Sequence, residues 1–236
     1  KKKTKYLQQT LMKIFEKKFA RDEYINNQIS RSDDKFEYCK VRYQDVFTWY
    51  NIIKKLNVNN ICNICCMGSR NGREIDLFRI IFNKYLISKL TKFTEIRKNG
   101  WNNLFNLTLS YKRNKVGKTS KGVNVFGVEI NPKATREDTL IGSFDELPNH
   151  WYNYFDIIYS NSFDQSMDPY KTANEWKKII KKNGLLIFSF SHMKEPTESD
   201  PVGNLSYKDV VELFEGEVIY FDKYGSNYSD LIIRLK

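Results

Sequence analysis

Residues Ile61–Glu74 read ICNICCMGSRNGRE. The apolar run Ile64-Cys65-Cys66-Met67 stops at Gly68-Ser69-Arg70-Asn71-Gly72, and a helical pattern then begins. A short apolar run closed by glycines reads as a buried strand. Over residues 72–90, Ile75, Phe78, Ile81, Phe82, Tyr85 and Leu86 recur at the spacing of one helix face. Strand, glycine-marked turn and helix N-terminus, in that order, present unpaired backbone N–H groups at the mouth of a pocket. That is the local chemistry that holds a nucleotide-like ligand.

Three later segments give this stretch its weight. Val125-Phe126-Gly127-Val128-Glu129 is an apolar strand ending in a carboxylate, and Asn131-Pro132 break it. Phe155-Asp156-Ile157-Ile158-Tyr159-Ser160-Asn161 is a second buried strand that opens into polar residues. A helical pattern over Tyr170–Lys181 leads to the turn and strand Asn183-Gly184-Leu185-Leu186-Ile187-Phe188. A helix over Ser206–Phe214 is followed by two strand-like runs, Glu217–Phe221 and Ser229–Leu235, around Gly225-Ser226-Asn227. That ending predicts an antiparallel hairpin at the edge of an otherwise parallel sheet.

Together these segments resemble the class I, Rossmann-like S-adenosylmethionine-dependent methyltransferases, over about Val58 to Lys236. The resemblance implies an α/β fold, a mostly parallel seven-stranded sheet with an antiparallel C-terminal edge hairpin. It implies a methyltransferase-like domain over residues 58–236, and residues 1–57 are expected to form an N-terminal helical extension. Within the extension, Leu7, Leu11, Ile14, Phe15 and Phe19 predict one helix over Thr4–Tyr24. Asn26–Asp34 reads as a polar loop, and Val46, Trp49, Tyr50, Ile53 and Leu56 mark a second helix. In a plain dinucleotide-binding unit the ribose acid lies about 20 residues past the glycines. Glu129 lies much further on, which predicts an insertion at about 91–122.

The family's glycine motif, D-x-G-x-G-x-G, aligns Cys66 with the acid, Gly68 with the first glycine, Arg70 with the second and Gly72 with the third. Gly68 permits the tight turn, and Gly72 a close approach of backbone to ligand. Cys66 removes a possible contact to the methionyl ammonium, and Arg70 puts a long side chain where the motif keeps the backbone bare. The form G-S-R-x-G-x-E, carried by a subset of the superfamily, fits the stretch and includes Ser69 and Glu74. A carboxylate at Glu129 suits both ribose hydroxyls, though that alone would also serve a nicotinamide cofactor. Ser143 and Phe144 fall where the family places groups around the adenine. Asn161 falls on the sulfonium side, and Asp164 and His192 are candidate bases toward the acceptor. The implied cofactor is S-adenosylmethionine, with no metal.

The net charge is +11. Lys92, Arg97, Lys98, Lys112, Arg113, Lys115, Lys118 and Lys121 stand against Glu95 alone in the insertion. Such a segment neutralises phosphates or forms a solvated face. Cys62, Cys65 and Cys66 lie in or beside a buried strand, where cysteine behaves as a small hydrophobe, and clustered thiols fit a reducing, intracellular compartment. No apolar run reaches the roughly 18–20 residues of a membrane span. The sequence therefore points to a methyltransferase acting on a small molecule or glycan. The alternatives are an RNA methyltransferase using Lys92–Lys121, and a catalytically silent module of a larger assembly.

Overall fold

The computed structural model describes residues 12–15, 20–56, 58, 61–83, 122–191, 194–224 and 228–236. The basic insertion up to Lys121, His192 and the Gly225-Ser226-Asn227 turn lie outside the described residues, as do Leu7, Leu11 and Phe19. The described elements are β1 (Lys13–Ile14), α1 (Arg21–Asp34), α2 (Tyr43–Lys55), β2 (Asn63–Met67), α3 (Arg73–Phe82), β3 (Asn124–Glu129) and β4 (Thr139–Ile141). They continue with β5 (Phe155–Ser160), α4 (Pro169–Ile179), β6 (Ile180–Ser191), β7 (Val202–Gly203), α5 (Tyr207–Phe214), β8 (Gly216–Tyr224) and β9 (Tyr228–Leu235).

Seven strands form one sheet in the order β4-β3-β2-β5-β6-β9-β8. β2 pairs in parallel with β3 and β5, and all five of its residues are buried, as a central parallel strand requires. β9 runs antiparallel to both β6 and β8, which is the edge hairpin expected from the sequence. The chain starts at the centre, builds outward through β3 and β4, then returns to the other side of β2. Loops leaving β2 and β5 therefore diverge, and a crevice opens at the carboxyl ends of these strands.

Alternation along the strands divides the core. Cys65 and Met67 face one side with Ile158, Trp176, Phe188 and Phe214. Cys66 and Ile64 face the other with Trp49, Ile53, Phe78 and Tyr159. α2 thus packs into the same apolar layer as α3, and Trp49 also donates its indole N–H to buried Asp230 at 3.1 Å. Helix starts follow their caps. Asp168 accepts the Lys171 N–H at 2.9 Å with Pro169 behind it, and Ser206 and Asp209 form a reciprocal capping box.

The N-terminal reading needs correction. Ile14 lies in β1, antiparallel to Val202–Gly203, with the Phe15 N–H donating to Pro201 O at 2.8 Å. Pairing with a distant loop overrides the local helical spacing there. The helix begins only at Arg21 and runs through 26–34, the stretch read as loop. α1 buries Tyr24, Gln28 and Ser32 at intervals of four, so its inward face is polar and leaves no apolar period. Among the described residues, no helix is long and apolar enough to cross a membrane.

Candidate cofactor-binding site

After Met67 the backbone turns sharply. Gly68 has φ +74 and Gly72 φ +76, the left-handed region that glycine tolerates. A methyl group on Gly68 would lie 2.8 Å from the Ser162 side chain, and one on Gly72 would lie 2.2 Å from the Arg136 guanidinium. Gly68 and Ser69 donate backbone N–H groups to Val128 O at 2.9 and 3.2 Å, which ties the loop to the end of β3. Gly68→Ala should therefore cost about 1–2 kcal/mol from the left-handed backbone alone. Calorimetric Tm should fall by roughly 2–8 °C.

Arg70 also sits at positive φ, +43, where the family motif carries its second glycine. A non-glycine residue there is strained, and the surroundings must hold it. Glu129 does so by accepting the Arg70 N–H on Oε2 at 2.7 Å. The guanidinium of Arg70 turns to the carbonyls of Lys35 and Tyr38, at 3.3 and 3.0 Å, and lies over the Tyr38 ring. It forms one wall of the crevice.

Glu129 is 6% exposed. Its Oε1 accepts the Asn131 N–H at 3.2 Å and, more loosely, the Ser32 hydroxyl at 3.4 Å. Burial pushes its carboxyl above the usual range, and the Arg70 and Asn131 N–H groups pull the other way. A carboxylate has about four acceptor positions, so it retains capacity for a ligand, and the long Ser32 bond is readily exchanged.

Two adjoining cavities share Gly68, Gln28, Glu129, Ile130 and Gln165. The smaller, about 50 Å³, is lined by Ser143, Phe144, Asp145, Met167 and Tyr24. Ser143 donates to the Asp145 carboxylate, and Phe144 meets Trp176 edge-on while its carbonyl accepts the indole N–H at 2.9 Å. The larger, about 250 Å³, carries Arg70, Glu74, Asn161, Asp164, Lys40 and Lys194 on its walls. Asn161 is oriented by the Ser162 hydroxyl, which donates to its Oδ1 at 2.9 Å. Asp164 lies 3.5 Å from Lys194. Burial and the neighbouring Asp200 push Asp164 upward, while Lys194 and Lys40 oppose them.

Of the residues singled out from sequence, Gly68, Arg70, Glu129, Ser143, Phe144, Asn161 and Asp164 line these cavities. Ser69 and Gly72 do not. Ser69 is buried against Gly127, and Gly72 faces Arg136. Sequence reasoning missed Tyr24, Gln28 and Arg31 on the polar face of α1, and Lys40, Lys194 and Asp200 on loops. Arg31 and Lys194 both bind buried Asp200, whose carboxyl they hold low against the opposing effect of burial. The intervals of four and three between Tyr24, Gln28 and Arg31 were the available signal.

Solved structures share this fold, a methyltransferase among them. The Burkholderia thailandensis 1,6-didemethyltoxoflavin-N1-methyltransferase, solved with S-adenosylhomocysteine, is 11% identical, with a TM-score of 0.55 over 95% of this chain and 94% of its own. The CMeT domain of the citrinin polyketide synthase is 12% identical, with a TM-score of 0.51 over 82% of this chain and 52% of that one. The [4+2]-cyclase SpnF is 11% identical, with a TM-score of 0.50 over 91% and 94%. No protein-family model and no curated protein matches the sequence.

Proposed function

We propose that the protein binds S-adenosylmethionine in this crevice and transfers its methyl group to a small polar acceptor. The observation that carries the reading is the meeting of Glu129 with the glycine loop, 2.7 Å from carboxylate to Arg70 N–H, beside a cavity at the strands' carboxyl ends. The residues fit the group. Gly68 leaves bare backbone, since a Cβ there would collide with Ser162, and Glu129 is a buried acceptor with capacity to spare.

In this reading Glu129 accepts the ribose hydroxyls, and Gly68, Ser69 and Arg70 supply the backbone of the cradle. Gly72 supports that cradle by letting α3 start beneath Arg136. The adenine takes the smaller cavity, against Phe144 and Met167, with the Ser143–Asp145 pair at its edge. The bound cofactor supplies an electrophilic methyl on sulfur. The protein's task is to align the acceptor in line with it and to exclude water. Asn161 faces the reacting end. Asp164, pushed upward by burial, holds or takes the acceptor's proton. α1 closes over both cavities through Gln28, so the N-terminal segment acts as a cover for the ligands.

The wall formed by Arg31, Lys40, Lys194, Asp164 and Asp200 is densely charged. It suits a small polar acceptor, sugar-like or anionic, better than an apolar one. Isothermal titration with S-adenosylhomocysteine tests the reading. It should give one site per chain with a Kd on the order of micromolar, about −8 kcal/mol, and NAD should give no heat. Silence with S-adenosylhomocysteine would overturn it.

A further inference from the structure

Resting on that reading, we infer that Glu74 is the carboxylate that receives the cofactor's methionyl ammonium, replacing the acid that the family motif carries at Cys66. Glu74 lies in the first turn of α3, is 4% exposed and lines the larger cavity. Its Oε2 is buried and has no hydrogen-bond partner among the described residues. An unpartnered buried carboxylate oxygen costs free energy unless something else completes it. A cation arriving through the cavity does so.

Among the described residues no cation is hydrogen-bonded to that oxygen. Arg70, whose charge lowers the Glu74 carboxyl, directs its guanidinium to the Lys35 and Tyr38 carbonyls. Other groups that act on Glu74 include Cys39 from the α1–α2 connection, Cys66 from β2, Tyr159 from β5 and Glu129 from β3. Burial raises both thiols and the phenol, which keeps them neutral, and Glu129 repels. Burial likewise raises the Glu74 carboxyl to about 7, against its own backbone N–H, the Arg70 charge and Cys39. Cys66 explains the exchange. Its thiol lies fully buried on the face of β2 that α3 covers, and cannot carry charge there. α3 packs on the same face, so a carboxylate from its first turn serves the region that the strand residue would have served.

The sign of the pH dependence follows. A carboxyl near 7 in the free protein becomes fully ionised beside an ammonium, so binding releases a proton near pH 7, and affinity rises with pH until Glu74 is ionised beforehand. The test is calorimetry in two buffers of different ionisation enthalpy, with three probes. These are S-adenosylhomocysteine, decarboxylated S-adenosylmethionine, which keeps the ammonium, and 5′-methylthioadenosine, which lacks the amino-acid tail. For the wild type, proton release is expected with the first two and none with the third. S-adenosylhomocysteine should bind roughly tenfold more tightly at pH 8 than at pH 6. Glu74→Gln should abolish the release and weaken the two ammonium-bearing probes by roughly 10- to 100-fold. It should leave 5′-methylthioadenosine within about twofold, which also shows that the variant is folded. Equal losses for all three probes, or proton release that survives in Glu74→Gln, would overturn the assignment while leaving the cofactor reading intact. If S-adenosylhomocysteine fails to bind the wild type, both fall.

Discussion

Glu129→Ala should weaken S-adenosylhomocysteine binding by roughly 30- to 150-fold, the equivalent of about 2–3 kcal/mol. The residue contributes twice. Its carboxylate offers charge-assisted acceptors to two vicinal hydroxyls, and it holds the Arg70 N–H that keeps the loop at positive φ. Glu129→Gln separates the two roles, because an amide oxygen still accepts one backbone N–H but cannot accept both hydroxyls with a full charge. Glutamine should lose nearly as much affinity as alanine. Stability should behave differently. A carboxyl raised by burial contributes stability that is present below its unfolded value and lost as pH rises through the folded one. Near pH 8 the unliganded Gln variant should therefore melt no lower than the wild type. Titration calorimetry beside thermal melts reads both outcomes.

Arg136→Met should lower stability by about 3 kcal/mol, the low end for breaking a buried ion pair, and Tm by roughly 6–12 °C. Arg136 binds Asp76 of α3 at 2.9 Å and Asp138 at 2.8 Å, and the three side chains are 20%, 8% and 19% exposed. Methionine fills much of the space but leaves Asp76 with the looser Arg79 contact at 3.6 Å, while Asp138 keeps Arg79 at 2.7 Å. The network also has an acid signature. Burial alone would raise Asp138, but hydrogen bonds from Arg136 and Arg79 outweigh it and lower the carboxyl to about 2. A depressed carboxyl stabilises above its unfolded value, and that stability is lost as pH falls toward 2, on the order of 2 kcal/mol here. Melts between pH 5 and pH 2.5 should show the wild type losing its advantage over Arg136→Met. Because Arg136 also covers Gly72, the variant should loosen the start of α3, and with it the loop that carries Arg70.

How much of this was readable beforehand differs by element. β2, β3, β5 and β6 each carry a short apolar core, residues 64–67, 125–128, 157–159 and 185–188, since a strand buried on both faces needs no alternation. Glu129 was visible because a charge ending such a run, ahead of Asn131-Pro132, has little other reason to be there. α1 was not visible, because its inward residues are Tyr24, Gln28 and Ser32, and the apolar period that marks most helices is missing. β1 was misread because two residues of edge pairing with Val202–Gly203 leave no local trace. Arg70 looked like an obstruction, since sequence shows the length of a side chain and not its direction. Gly72 was expected against the ligand. Its need for glycine is met instead by its backbone angle and the guanidinium above it. Lys40, Lys194 and Asp200 reach the crevice only through tertiary closure of loops.

The fold does not by itself dictate methyl transfer, as the shared architecture of a [4+2]-cyclase makes plain. The decisive claim is that the loop after β2 and the acid ending β3 grip one adenosine. The most direct measurement is a crystal structure of the protein with S-adenosylhomocysteine. The account predicts both ribose hydroxyls within about 2.6–3.2 Å of the Glu129 carboxylate and the adenine beside Phe144 and Met167. A ligand seated away from Glu129, or a crevice that stays empty at saturating concentration, would contradict it.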